Sequence, residues 1–188
     1  MFLSLLLSSF LTFVELNCEN LFDTRHDSLK NDLEFLPDGS YKWTPYRYWA
    51  KLNHLGQEIV AQSDPVPDFV AMCEVENDSV MFDLTKRSLL RNAGYEYVMT
   101  SSPDERGIDV ALLYQPASFA LLHSHSIRIK PLPDTRPTRD ILYASGLLIT
   151  GDTLHIFVVH APSRRGGEQV SRPYRLLVAS QLAEAVDS

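Results

Sequence analysis

Apolar residues between about residues 11 and 186 fall into short runs whose spacing differs from one run to the next, and the spacing identifies each element. In TPYRYWAKLNHLGQEIVAQ, Tyr48, Leu52, Leu55 and Ile59 recur at the three- and four-residue steps of one helical face. Thr44 is placed to cap that helix and Pro45 to begin it, since a first helical residue needs no N–H partner. A second helix is predicted from Asp78, read as its cap, through LTKRSLLRNAG, where Gly94 suits a left-handed C-cap. A third runs from about Pro173 to Val186. Continuous apolar stretches predict strands instead: Leu11 to Leu16, Pro67 to Cys73, Tyr95 to Met99 and Ile108 to Tyr114. Ile141 to Ile149 and Leu154 to Val159 flank Gly151-Asp152, which reads as a type I′ hairpin turn. Helices between strands early in the chain and a hairpin later predict a mixed α/β layered domain, not an all-parallel sheet.

Length and composition bound this picture. A chain of 188 residues, 45% hydrophobic, is enough for one sizeable core, so residues 11–188 are expected to form one domain. Residues 1–10 open an apolar stretch, MFLSLLLSSFLTFV, too short to span a bilayer and without a basic leader or a small-residue cleavage site; a degenerate leader is the expectation. Cys18 and Cys73 make neither a disulfide framework nor a zinc spacing and read as buried thiols. The net charge of −7 argues against a nonspecific nucleic-acid coat. Its distribution is uneven: residues 1–122 carry nine Lys/Arg against eighteen Asp/Glu, residues 123–175 eight against four. An acidic part that holds a cation beside a basic part that steers an anion is one consequence, and two solvated surfaces the other.

Polar residues at strand ends carry the candidate chemistry. FVELNCENLF puts Asn17, Glu19 and Asn20 where the first strand gives way, and PDFVAMCEVEND puts Glu74 directly after a hydrophobic run. If these strands are neighbours, an amide oxygen and a carboxylate converge on a site suited to Mg2+, with Mn2+ as a substitute, because hard cations prefer oxygen donors. A turn cap for Asn17 and an arginine partner for Glu74 are the structural alternatives. RGIDVALLY adds Arg106, a phosphate contact or a surface ion pair, and Asp109, which orients a side chain, binds a loop amide or accepts a histidine N–H. His160 ends HIFVVH, where an imidazole donates to a phosphoryl oxygen or moves a proton near neutrality. Arg164 and Arg165 offer guanidinium forks for phosphate oxygens, and Gly166-Gly167 follow them. Arg136 and Arg139 in DTRPTRD offer more positive charge before the hairpin, although a lone arginine there reads as a solvated loop residue.

The asparagine of LNCENLF, the glutamate of DFVAMCEVEN, the run GIDVALLY and the histidine of VVHAPSRRGG, in that order, resemble the motifs of the endonuclease/exonuclease/phosphatase superfamily over Phe13 to Val186. The resemblance implies a DNase I-like fold, a layered β-sandwich with helices outside, and a divalent-metal-dependent hydrolase of a phosphoester-containing substrate, nucleic acid included. It makes Asn17 and Glu74 the metal site, gives His160 the scissile phosphate, and leaves Asp109 and Arg106 in the middle motif. The superfamily's later G-D-x-N and C-terminal aspartate–histidine motifs do not occur before Ser188. The resemblance therefore implies the N-terminal portion only, truncated before the last strands, weak or inactive by itself, with a sheet edge open to self-association or a partner. A non-catalytic phosphate- or nucleic-acid-binding module and an interaction domain stand beside the hydrolase. SRRGG resembles secreted or envelope-associated members, and such a location is expected beside a cytoplasmic one.

Overall fold

The computed structural model describes residues 10–131, 133, 136–164 and 166–187. Ten principal elements run in the order β1 (Phe13–Leu21), α1 (Pro45–Val60), β2 (Phe69–Val75), α2 (Asp78–Phe82), β3 (Glu96–Met99), β4 (Asp109–Tyr114), β5 (Phe119–Ile127), β6 (Ile141–Leu148), β7 (Thr153–Val158) and α3 (Glu168–Val186). Among the described residues two sheets form, one ordered β1-β2-β4-β3 and the other β5-β6-β7. β1 and β2 are parallel because α1 crosses between them, and every other described pairing is antiparallel.

Side-chain alternation along β2 and β4 explains the layering. Val70, Met72, Ala111 and Leu113 pack beneath Tyr48, Leu52, Leu55 and Ile59 of α1. Phe69, Cys73, Val110 and Leu112 point the other way, onto Leu142, Ala144, Ile156 and Val158 of the second sheet. On that sheet's outer face Val178 of α3 closes a smaller cluster with Ile129 and Ile141. The order is helix, sheet, sheet, helix, the α/β layered sandwich with helices outside that the motifs imply. No helix among the described residues is long and apolar enough to cross a membrane.

Helix α1 begins at the expected cap, Thr44, whose hydroxyl accepts from the Arg47 amide. Other boundaries moved for local reasons. Asn77, not Asp78, caps α2, accepting from the Val80 amide at 3.0 Å. The predicted second helix is broken into α2, a wide turn over Asp83–Arg87 and a short 3-10 turn over Leu89–Asn92, because Ser88 between them is extended and caps the last piece. α3 starts five residues before Pro173, which lies inside it. The β6–β7 connection is the four residues 149–152 with Gly151 left-handed and Leu148 N–H bound to Asp152 O, rather than a two-residue type I′ turn. β5 has no counterpart in the predicted elements: five consecutive exposed residues, Leu122 to Ser126, hide it from an apolar pattern. The apolar segment expected at residues 1–10 lies, but for Phe10, outside the described residues.

Candidate active site

Glu74 reaches its position through an irregularity in the pairing. Cys73 pairs with Val110 and Val75 with Asp109, so Glu74 is the extra residue of a bulge on β2. On the other side, Asn17 pairs with Cys73 and Leu21 with Val75, so β1 carries residues 18–20 opposite that single glutamate. Glu74, Glu19 and Asn20 have φ of 61°, 50° and 63°. Left-handed backbone at a non-glycine residue costs about 1 kcal/mol or more, so these three need neighbours that hold them. Asn20 N–H donates to Glu74 Oε2 at 2.9 Å, and Asn17 Oδ1 accepts from Glu19 N–H at 2.8 Å. From α1, Lys51 Nζ donates to the carbonyls of Glu19 (2.6 Å) and Asn20 (3.3 Å).

His160 comes from the other sheet, two residues beyond β7, and its Nε2 lies 3.6 Å from Glu74 Oε1. Both side chains are largely buried, at 18% and 16% exposure. Burial depresses the His160 pKa and the nearby Arg139 guanidinium adds to that, while Glu74 opposes it; the imidazole is held toward its neutral form. Its Nδ1 is buried with no hydrogen-bond partner among the described residues, as are Arg139 Nε and Thr138 Oγ1. Glu74, His160, Thr138 and three arginines, Arg106, Arg136 and Arg139, face a cleft of about 480 Å³ that is completed by the N-terminal turns of α3.

Arg139, expected as a solvated loop residue, is instead 10% exposed. Its Nη2 donates to the carbonyls of His160 (3.1 Å) and Ala161 (3.3 Å), and its Nη1 lies 3.4 Å from Asp104 Oδ2, so it ties the His160 loop to the loop before β4. The available signal was its place two residues before a strand that runs toward the histidine's strand. Asp109 takes the loop-binding role among the three considered: its Oδ1 accepts from the Thr100 hydroxyl (2.5 Å) and the Ser102 amide (2.9 Å), and it is buried away from the cleft lining. Arg106 lines the cleft with its Nε 3.9 Å from Asp104. Arg164 is 81% exposed and pairs with Glu168 at 3.6 Å instead of lining the cleft. Arg165 lies outside the described residues. Gly166 and Gly167, both left-handed, make the turn from that loop into α3. Cys18 and Cys73 are free and buried, with burial raising both thiol pKa values.

Among the described residues no group of three or more His, Cys, Asp or Glu side chains is placed to hold a metal ion. Beside Glu74 the oxygen donors are its own carboxylate and the Asn17 amide on the paired strand β1, and one nitrogen, His160 Nε2, lies 3.6 Å from Glu74 Oε1. Mg2+ keeps several waters and takes one or two carboxylates together with substrate oxygens, so the two oxygen donors fit it, while a closed zinc cage would need more nitrogen or sulfur.

The model of the endonuclease/exonuclease/phosphatase family matches residues 12–188. The chain belongs to that family. This endonuclease/exonuclease/phosphatase family member also shares its fold with solved structures at low identity. A functionally unknown conserved protein from Enterococcus faecalis is 14% identical with a TM-score of 0.63, over 95% of this chain and 61% of that one. The mannosyl-6-phosphatase of Bacteroides thetaiotaomicron is 17% identical with a TM-score of 0.61, over 94% and 58%. TDP2 of D. rerio, complexed with a single strand DNA product, is 19% identical with a TM-score of 0.57, over 93% and 54%. This chain thus spans between 54% and 61% of the length of these solved chains. No curated protein matches it. The family match runs through the last residue, and the expectation that only an N-terminal portion of the family pattern is present is not borne out by it.

Proposed function

We propose that the cleft is a divalent-cation-dependent phosphoester-hydrolysing site, with Mg2+ as the cation and Mn2+ as its substitute. The observation that carries this reading is the meeting of Glu74 and His160, 3.6 Å apart, from two different sheets in an arginine-lined cleft. In this reading Glu74 and Asn17 offer oxygens to the cation, which supplies Lewis-acid polarisation of a phosphoryl oxygen and offsets charge on the leaving oxygen. His160, held toward the neutral form, donates its Nε2 proton to a nonbridging oxygen, and Arg106 adds positive charge beside it. The unpartnered Thr138 hydroxyl and Arg139 Nε–H leave the cleft wall with donors short of acceptors, a deficit that an anionic group or a water relieves, and His160 Nδ1, the acceptor nitrogen when Nε2 carries the proton, is unpartnered beside them. Arg139 is assigned the holding of the His160 loop and Asp109 that of the 100–102 segment. Arg164, outside the cleft lining, is assigned to an outer phosphate contact, and Arg165 is carried as a phosphate contact without a described position.

Among the described residues lining the cleft, Glu74 is the sole carboxylate and His160 the sole imidazole. With both engaged in binding, nothing there is left to take a proton from water, and a positioned base contributes about 10²- to 10⁴-fold. Slow turnover by these residues alone is the expectation, and the same observation favours the second reading, a phosphate-binding module without turnover. A single strand DNA product on one relative and a sugar phosphatase among the others share the phosphoester, and that group is what we carry over to this chain.

Hydrolysis of bis(p-nitrophenyl) phosphate by the purified chain, with Mg2+ or Mn2+ and beside Glu74→Ala, tests the proposal. Metal-dependent release above the variant's supports it. Equal rates from a folded wild type and variant, with phosphate still bound, would replace it by the binding module.

A further inference from the structure

Residues 19–22 are held from the side of α1 by two donors. Lys51 Nζ reaches the carbonyls of Glu19 and Asn20, and Trp43 Nε1 donates to Phe22 O at 2.8 Å. The two donors support each other, since the ammonium sits 5.4 Å from the centre of the Trp43 ring. Between them lie the left-handed Glu19 and Asn20, and the Asn20 N–H is the group that grips Glu74 Oε2. Asn17 belongs to the same turn, because its Oδ1 is bound by the Glu19 amide.

We propose that Lys51 is a positioning residue for the cation site. By fixing the carbonyls of the left-handed pair it sets the direction of the Asn20 amide, and so the orientation of the Glu74 carboxylate and the separation of Asn17 from it. The inference rests on the reading of Glu74 and Asn17 as cation ligands and adds to it a residue that touches neither substrate nor cation.

The charge of Lys51 lets the two possible effects be told apart by sign. An ammonium near the site repels a cation, so through-space charge alone predicts tighter cation binding when Lys51 is replaced by an uncharged residue. Positioning predicts the reverse, because residues that orient a ligand typically contribute 10- to 100-fold to metal affinity.

Mn2+ binding by calorimetry and amide hydrogen exchange at Asn20 by NMR, on the full chain, test the proposal with Lys51→Met and Lys51→Arg. Lys51→Met is expected to bind Mn2+ about 10- to 100-fold more weakly. Its Asn20 amide is expected to exchange at least about 10-fold faster as the held turn opens. Lys51→Arg, which keeps charge and donors, is expected to restore most of both. Binding as tight as the wild type's or tighter in a folded Lys51→Met overturns the proposal, whatever the amide does. If the wild type itself binds no Mn2+, the cation reading fails separately, and the Asn20 amide alone decides whether Lys51 sets the turn: unchanged protection overturns it. Should Lys51→Met not fold, Trp43→Phe removes the indole donor and keeps the ring; unchanged Mn2+ affinity and amide protection in that variant overturn the clamp.

Discussion

Glu76 is 8% exposed, and burial, partly offset by the Asp23 amide and reinforced by the charges of Asp23, Asp32 and Asp27, pushes its carboxyl from an ordinary 4.5 up to about 8. Its pKa is raised on folding, so between pH 4.5 and about 8 the folded chain binds more protons than the unfolded one, and stability falls as pH rises through that window. Glu76→Gln keeps an oxygen for the Asp23 amide and is expected to raise Tm at pH 8.5 by roughly 5 °C, with little change at pH 4.5. Thermal melts of both proteins at the two pH values check this; equal slopes of Tm against pH would show that Glu76 does not titrate abnormally. Arg139→Leu takes from the buried Asp104 carboxylate the arginine on its Oδ2, leaving only Arg106 beside Oδ1, and frees two carbonyls, and is expected to destabilise by about 3 kcal/mol in urea unfolding. Arg139→Lys recovers only part of that, since an ammonium lacks the planar fork. At this scale the places of Glu74, His160 and Arg106 beside strands were legible, and the fold brings these three to one cleft. Asn17 is instead bound into the β1 turn outside the described lining, and the burial of Arg139 was not legible. Nothing within DTRPTRD distinguishes a solvated arginine from one folded back onto the carbonyls of the loop after β7.

Single elements follow from local chemistry where a signal is strong. Thr44→Ala removes a cap whose bond to the Arg47 amide is 3.4 Å long, and the expected loss is about 0.5–1 kcal/mol, read from the urea midpoint. Gly146 in β6 tests the packing of the second sheet. A Cβ there would lie 2.5 Å from both Ala120 O and the Phe119 ring, so Gly146→Ala is expected to destabilise by about 2–3 kcal/mol. A cost under about 0.5 kcal/mol would mean that both the Phe119 ring and the Ala120 backbone give way freely. The four apolar positions of α1 announced that helix because its buried face is continuous. β5 announced nothing, because most of its side chains are exposed and its pairing with β6 is made by backbone.

For the whole molecule, the decisive relation is the docking of one sheet on the other. Phe69 stands in that interface, stacked on Phe13 at 4.4 Å and edge-on to Phe119 at 5.2 Å. Phe69→Ala is expected to cost about 3–5 kcal/mol. It is also expected to lower phosphate affinity at the cleft, since Glu74 and His160 belong to different sheets. Phosphate binding unchanged at a temperature where the variant is folded would show that the cleft tolerates a shift between the sheets. By itself the sequence determined the alternation of most helices and strands, the cap and face of α1, and the placing of the glutamate and the histidine close to where strands end, because each depends on spacing within a few residues; Asn17, expected past the first strand, lies inside β1. It did not determine which strand ends meet. The bulge that isolates Glu74, the Lys51 clamp on Glu19 and Asn20, and the turning of Arg139 under His160 join residues that are 21 to 54 positions apart in the chain. Contacts of that range follow from the packing of two sheets and two helical layers, and only the tertiary structure decided them.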